Sequence, residues 1–357
     1  MIFGLRQSVL ILVAKKEIDF SRVHFSLAGS GDPWSSLTKL RVQIMKELLD
    51  GTDLSELASE LDLTLEKLKV EIQPLQDASL VWESNGKLKP SFLICDFDET
   101  QLVYNDACVF SKNLADTLED HFDDIKDSYR NLDVSKEWDF EKLAFLLVGG
   151  CIIDIKLLEK LTTGSRLLPP APPRPSPERP DAHYYFWMIE GEKKHLGEYG
   201  LDDYDLPWPS WRYFSFGQNL INSKPNPDRE QMETKYRELV ETKSVESPEA
   251  LGEELGIPIM PPSDSKKFAE TSDKYAELLS LSYMEQEQSI FELHSDLKSG
   301  KHAPHSFGEF FCWYAHIAYS VAIDTLESNG VLPVPPERFQ SAIWYREQDR
   351  EGLLTGL

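Results

Sequence analysis

Seven polar side chains between residues 64 and 89 have the types and spacing that contact nucleic acid. Four are lysines, which neutralise backbone phosphates, and the others carry amide or hydroxyl groups, which hydrogen-bond to phosphates or base edges. They are Thr64, Lys67, Lys69, Gln73, Asn85, Lys87 and Lys89. Such a set reaches a duplex only if the local structure presents it on one surface.

The segment 64–75 has the periodicity of an amphipathic helix. Its apolar residues recur at three- and four-residue steps, which places them on one face; they are Leu65, Leu68, Ile72 and Leu75. The Thr64 hydroxyl can cap this helix by accepting from a free backbone N–H group of the first turn. The other face would present Glu66, Lys67, Lys69, Val70 and Gln73.

A β-hairpin follows this helix. Leu80 and Val81 begin the first strand, and Asn85-Gly86 is a dipeptide that tolerates the positive φ angles of a type I′ turn. Upstream, residues 38–62 contain two more amphipathic patterns with a break at Gly51. The order helix, helix, turn, helix, hairpin predicts a winged helix-turn-helix domain over residues 34–95.

The segment from Thr52 to Val81 resembles the MarR- and ArsR-like families of bacterial and archaeal transcription regulators. The matching residues are Asp53 to Ala58 in the second helix, a turn at Leu61-Asp62-Leu63, Thr64 at the start of the recognition helix, and Ser79-Leu80-Val81 where the family has Gly-Leu-Val. The resemblance covers about a sixth of the chain. It implies that Thr64 to Gln73 dock in the major groove of double-stranded DNA and that Lys87 and Lys89 contact phosphates. Because a single recognition helix rarely gives enough affinity, we also expect a homodimer.

Two features depart from the family pattern. Pro74 replaces a residue that is usually basic, and it removes a backbone donor from the helix. Residues 37–89 contain seven basic and ten acidic side chains, a net charge of −3, whereas DNA-reading modules are usually positive on the docking face. The alternative is therefore a protein-interaction adaptor, whose winged helix serves only protein contacts.

The whole chain of 357 residues has a net charge of −24 and is long enough for two or three domains. This charge excludes a wide nucleic-acid surface and an anionic membrane as partners, since both require extended positive surface. The four cysteines are separated along the chain, as is typical of reduced thiols in the cytosol. The apolar run Val9 to Ala14 is too short to span a bilayer, so we expect a soluble cytoplasmic protein.

The composition predicts an α+β fold that is mainly helical. Residues 1–33 form a leader of uncertain structure, residues 34–95 the winged helix, and residues 96–165 a helical segment broken near Gly149-Gly150. Residues 166–182 contain seven prolines and form a stiff linker or arm, or a docking site for a partner with an aromatic groove. Residues 183–357 form a larger helical domain with a small aromatic-rich antiparallel sheet.

Eleven aromatic residues lie between Tyr184 and Phe216. Paired strands that carry Trp and Tyr can form a cage for a small-molecule ligand, and the predicted ligand-binding residues are Trp187, Trp208, Trp211 and Tyr213. The alternative is that these rings are the core of the sheet. In either case residues 183–357 would sense a ligand or a protein partner.

The C-terminal region also contains cysteine and histidine residues, which are residue types that can bind a metal ion. Cys312 and His316 share a helix face and could both reach a metal ion, and His294, His302 and His305 lie nearby in the sequence. No spacing such as HExxH accompanies them, so we predict no metal and no cofactor. Ser306 to Glu309 has the pattern of a capping box for the apolar helix that follows.

No catalytic motif is recognisable in the sequence. There is no P-loop, no Gly-x-Gly-x-x-Gly after a strand, and no Gly-x-Ser-x-Gly. We therefore predict that the protein is not an enzyme. An enzyme that acts in the aromatic cage remains a third alternative.

Overall fold

The computed structural model of the protein describes residues 18–84, 86–164, 167–176, 179–218, 227–242, 244–301, 303 and 305–346. The chain has a mixed α+β fold that is mainly helical, as predicted. The α-helices are α1 (Lys39–Leu49), α2 (Leu54–Glu60), α3 (Leu65–Asp77), α4 (Phe97–Arg130), α5 (Leu158–Gly164), α6 (Pro227–Glu241), α7 (Pro248–Leu255), α8 (Pro262–Glu285), α9 (Glu287–Asp296) and α10 (Ser306–Ser328). A π-helix spans Leu146–Leu157. The strands are β1 (Val23–Gly29), β2 (Val81–Ser84), β3 (Lys87–Pro90), β4 (Leu93–Cys95), β5 (Tyr184–Glu190), β6 (Gly200–Asp205), β7 (Trp211–Gly217), β8 (Ile259–Met260) and β9 (Phe339–Tyr345).

Helices α1 to α3 and the β2–β3 hairpin lie where the sequence predicts them. The Thr64 hydroxyl accepts from the backbone N–H of Lys67 at 3.2 Å, which satisfies one donor of the first turn of α3. Leu68, Ile72 and Leu75 of α3 are buried against α1 and β2, whereas Leu65, predicted on the same face, is exposed in the first turn. Ser84 pairs with Lys87 across the turn, where Gly86 has a φ of +75°. Asn85 and the Val9 to Ala14 run lie outside the described residues.

A three-stranded sheet separates two hydrophobic cores. Its order is β1-β5-β4, with β5 antiparallel to β1 and parallel to β4. Alternate side chains of β5 point to opposite faces: Tyr184, Phe186 and Met188 join the core of α1 to α3, whereas Tyr185, Trp187 and Ile189 join the core of the helical body. Strand β1 lies within the segment that was expected to be a leader of uncertain structure.

A second sheet has the order β6-β7-β9-β8, and β8 is parallel to β9. The prediction of one antiparallel sheet for all the aromatic strands is therefore wrong. Strand β5 is apolar on both faces and lies between two cores, whereas β7 pairs with β6 and with β9 near the end of the chain. Local composition does not reveal either distant partner.

The helical body is built around α10, which is buried along most of its length and packs along α4. The π-helix packs against α8 and β7. The predicted break near Gly149-Gly150 is wrong, because the helix continues through both glycines. A Cβ atom on Gly149 would lie 2.2 Å from a ring carbon of Phe216, and one on Gly150 would lie 2.9 Å from a methyl group of Leu201. The glycines therefore let the sheet approach the helix.

The proline-rich segment is held against the body by a buried arginine. Arg174 forms an ion pair with Glu309 of α10 at 2.5 Å, and the side chains of both residues are buried. Glu309 also accepts from the backbone N–H of Leu93 at 2.7 Å. The predicted capping box is therefore wrong, since the carboxylate pairs with a distant cation instead of the N-terminus of its own helix.

Within the described part of the chain, no helix is both long enough and apolar enough to cross a membrane.

Candidate functional site

The outer face of α3 and strand β3 form one surface. Lys69 and Gln73 on α3 and Lys87 and Lys89 on β3 line a cleft of about 400 Å³. Thr64 and Lys67 are exposed on the same helix. The structure thus brings six of the seven residues predicted for DNA binding to a helix and a strand that face one cleft.

Ion pairs neutralise some of the charged side chains around α3 and leave others unpaired. Arg41 on α1 forms an ion pair with Glu71 of α3 at 3.0 Å, which neutralises this carboxylate. Lys46 pairs with Glu190 at the end of β5. Among the described residues, no acidic side chain forms an ion pair with Lys67, Lys69 or Lys87. Lys67, Lys69 and Lys87 are therefore available to a partner, although Asp53 and Glu83 also line the cleft.

The four predicted ligand-binding aromatics do not form a cage. Trp187 is buried in the core of the helical body, where strand alternation places it. Trp208 donates to the backbone oxygen of Glu246 at 3.2 Å. Tyr213 and Trp211 belong to a separate cluster, in which the Tyr213 ring stacks on Tyr236 at a centroid distance of 4.7 Å. These side chains support the alternative that was left open, that the rings pack the sheets.

A different cavity, of about 220 Å³, lies between the π-helix, α8, β7 and β9. Phe214, Phe268 and Trp344 form much of its apolar wall, and Cys151 and Ser272 lie on it. Burial raises the pKa of the Cys151 thiol, so this side chain stays protonated and serves as a small apolar group. No local sequence pattern indicates this cavity, because four elements that are distant in the sequence build it.

The Cys312 and His316 pair is satisfied within the protein. His316 Nδ1 lies 2.6 Å from the backbone oxygen of Cys312 and 3.8 Å from its Sγ. Burial lowers the pKa of His316 to about 4, which keeps the imidazole neutral. The described residues contain no group of three or more His, Cys, Asp or Glu side chains arranged to hold a metal ion. His302 lies outside the described residues.

One acidic side chain of the π-helix is buried without a cation. Asp154 accepts from the backbone N–H of Leu201 at 2.7 Å and from the Tyr319 hydroxyl at 3.4 Å. Burial raises the pKa of this carboxyl to about 7, against a partial opposing effect of these two donors. The folded protein therefore binds this proton more tightly than the unfolded chain does.

The free energy of unfolding should fall as the pH rises through 7. The stabilising effect of a protonated Asp154 is fully present below the unfolded pKa of about 4 and is lost as the pH passes the folded pKa. From pH 6 to 8 we expect this group alone to lower the free energy of unfolding by about 1 kcal/mol. Urea denaturation of the wild type and of Asp154→Asn at pH 6, 7 and 8 measures the effect, because the amide keeps the shape but cannot titrate. Equal pH dependence in the two proteins would show that Asp154 is not the titrating group.

Comparison of the chain with protein-family models, with curated proteins and with solved structures finds no match in any of the three. The function is therefore inferred from the residues of this chain alone.

Proposed function

We propose that this protein is a winged-helix, DNA-binding transcription regulator whose residues beyond 96 sense a small-molecule ligand or a protein partner. The observation that carries the proposal is the cleft between α3 and β3, where Lys69 and Lys87 face solvent on two adjacent elements. Helix α3 has 13 residues and is about 20 Å long, which suits a major groove roughly 12 Å wide.

In this arrangement α3 lies in the major groove and the hairpin is the wing. Gln73 faces the base edges, Lys67 and Lys69 lie in the groove within reach of the phosphates along its edge, and Lys87 and Lys89 contact backbone phosphates beside it. The Arg41–Glu71 pair supports the docking, since it neutralises one carboxylate of α3.

The distribution of charge limits how a duplex can approach. The net charge is −24 for the whole chain and −3 for residues 37–89, which leaves −21 elsewhere. The acidic body repels phosphates, so DNA can dock only at the outer face of α3 and the hairpin. Because one recognition helix gives limited affinity, we propose that the regulator binds as a homodimer.

Charge reversal on α3 tests the proposal. In a fluorescence-anisotropy titration with duplex DNA from the protein's own promoter, Lys67→Glu/Lys69→Glu should abolish binding, because both phosphate-facing cations become anions. Both lysines are exposed, so the fold should be unaffected.

The matched control is Lys112→Glu/Lys267→Glu, which changes the net charge equally at exposed positions on α4 and α8. It should bind like the wild type. If the two double variants weaken binding equally, only the total charge matters and α3 is not the docking element.

The second candidate function is a protein-interaction adaptor. Val70 is 68% exposed on the outer face of α3, and Leu65 is 37% exposed at its start. Exposed apolar side chains are more typical of a protein interface than of a phosphate-contacting helix. This function predicts that the wild type fails to bind DNA even at low salt and that Val70→Asp, unlike charge reversal at Lys67 and Lys69, disrupts binding of the partner.

A further inference from the structure

The cavity beside the π-helix has the size of a small ligand. Its volume of about 220 Å³ exceeds the roughly 150 Å³ of an engineered protein cavity that binds benzene. Phe214, Phe268, Trp344 and Ile155 supply apolar walls, which suit a ring or a short hydrocarbon chain. The walls alone would accept any apolar molecule, so the polar groups must define the class of ligand.

One polar group in the cavity wall lacks a hydrogen-bond partner. The Ser272 hydroxyl is buried on α8, lines the cavity, and has no partner among the described residues. A buried hydroxyl without a partner is costly and is uncommon in folded proteins. Because this oxygen is enclosed by the wall, the contacts that select a ligand must come from the charged groups around the cavity.

The charged residues that line the cavity are mostly basic. Lys156, Lys266 and Arg346 carry positive charge, and Glu159 carries the only negative charge among the lining residues. This excess contrasts with the acidic chain as a whole. Carboxylates bind two of the cations, since Lys156 lies 2.9 Å from Glu159 and Arg346 lies 3.4 Å from Asp203.

Among the cations that line this cavity, Lys266 is the one without an ion pair to a described residue. It is exposed on α8 and forms no ion pair with any described residue. An anionic group of a ligand could pair with Lys266 at the mouth while the apolar part fills the interior.

We infer that the cavity binds a small organic monoanion with an apolar body of about one ring, whose carboxylate pairs with Lys266 and whose apolar end lies against Trp344 and Phe268. The biological meaning rests on the proposed function, because this molecule would be the signal that the regulator senses. Binding itself involves no DNA and is measured on the protein alone.

The test uses a matched pair of probes with the full-length protein in isothermal titration calorimetry. 3-Phenylpropionate has the required ring and carboxylate, and 3-phenylpropionamide is the neutral molecule of the same shape. We expect saturable binding of the acid and about tenfold weaker binding of the amide, as expected for a charge-assisted contact. No saturable binding of the acid, or equal affinity for acid and amide, would overturn the inference and leave the cavity as a hydrated gap.

Neighbouring lysines provide the matched protein variants. Lys266→Met should weaken binding of the acid about tenfold and leave the amide unchanged, whereas Lys267→Met, on the next residue of α8 but not lining the cavity, should change neither. Ala269→Leu should fill the cavity and abolish binding of both probes. Equal affinities in the two methionine variants would also overturn the inference. A failure of DNA binding in the α3 variants would leave these results unaffected.

Discussion

Replacing Arg174 by alanine is expected to lower the free energy of unfolding by about 3–5 kcal/mol, because it leaves a buried carboxylate without its cation. The guanidinium bonds to Glu309 at 2.5 Å, to the backbone oxygen of Ser79 at 2.9 Å and to the Ser91 hydroxyl at 2.8 Å. These contacts join the proline-rich segment, the hairpin region and α10. Chemical denaturation of the variant measures the loss.

Arg179→Ala is the control within the same proline-rich segment. Arg179 is exposed, so its removal should change stability by no more than about 0.5 kcal/mol. The double variant Arg174→Met/Glu309→Gln should lose less stability than the sum of the losses in Arg174→Met and in Glu309→Gln, since it leaves no unpaired buried charge. If Arg174→Ala and Arg179→Ala are equally mild, the segment is a linker that the body does not require.

Gly197→Ala should also destabilise the fold strongly. We expect it to lower the free energy of unfolding by about 2–5 kcal/mol, because backbone strain and crowding act together. Gly197 has a φ of +81° and a ψ of 130°, a region that essentially only glycine occupies. Its Cβ would lie 2.6 Å from the carbonyl carbon of His316 in α10. A helix backbone cannot move aside as a flexible side chain can.

Contacts on both sides of Gly197 prevent this turn from shifting. The indole N–H of Trp313 donates to the His195 oxygen at 2.6 Å, and Ser320 Oγ accepts from the backbone N–H of Glu198 at 2.9 Å. Gly256→Ala is the control, because Gly256 also has a positive φ but no atom near its Cβ position. It should cost only about 1–2 kcal/mol of left-handed strain. Equal losses in thermal or chemical denaturation would mean that crowding against α10 is absent.

The helices and the hairpin near the N-terminus could be predicted because their signals are local. The spacing of Leu65, Leu68, Ile72 and Leu75 predicts the buried face of α3. Leu68, Ile72 and Leu75 are buried as predicted, whereas Leu65, in the first turn, is 37% exposed. Thr64 caps the helix within its own first turn, and Gly86 has the positive φ that its turn requires. Each of these features depends on residues a few positions apart.

Other features depend on partners that a local pattern does not identify. The Ser306 to Glu309 pattern indicated a capping box, yet Glu309 is the partner of Arg174, which precedes it by more than a hundred residues. The density of aromatic residues between Tyr184 and Phe216 predicts one sheet, but β5 and β7 belong to different sheets. Trp187 therefore points into one core while Tyr213 packs in another.

The two candidate sites illustrate the same difference. The residues of the α3 surface lie within 26 positions of one another, so sequence spacing located them. The cavity beside the π-helix brings Cys151 together with Ser272 and Trp344, and only folding makes them neighbours.

The salt dependence of DNA binding tests the central proposal most directly. The logarithm of the binding constant should fall linearly with the logarithm of salt concentration between roughly 50 and 200 mM, with a slope of about −0.9 for each phosphate neutralised. Neutralising two contacting lysines in Lys67→Met/Lys69→Met should make the slope less steep by about 2. We predict that result for duplex DNA in a fluorescence-anisotropy titration. A wild-type protein that does not bind at low salt, or a variant with an unchanged slope, would contradict the assignment of α3 as a DNA-docking helix.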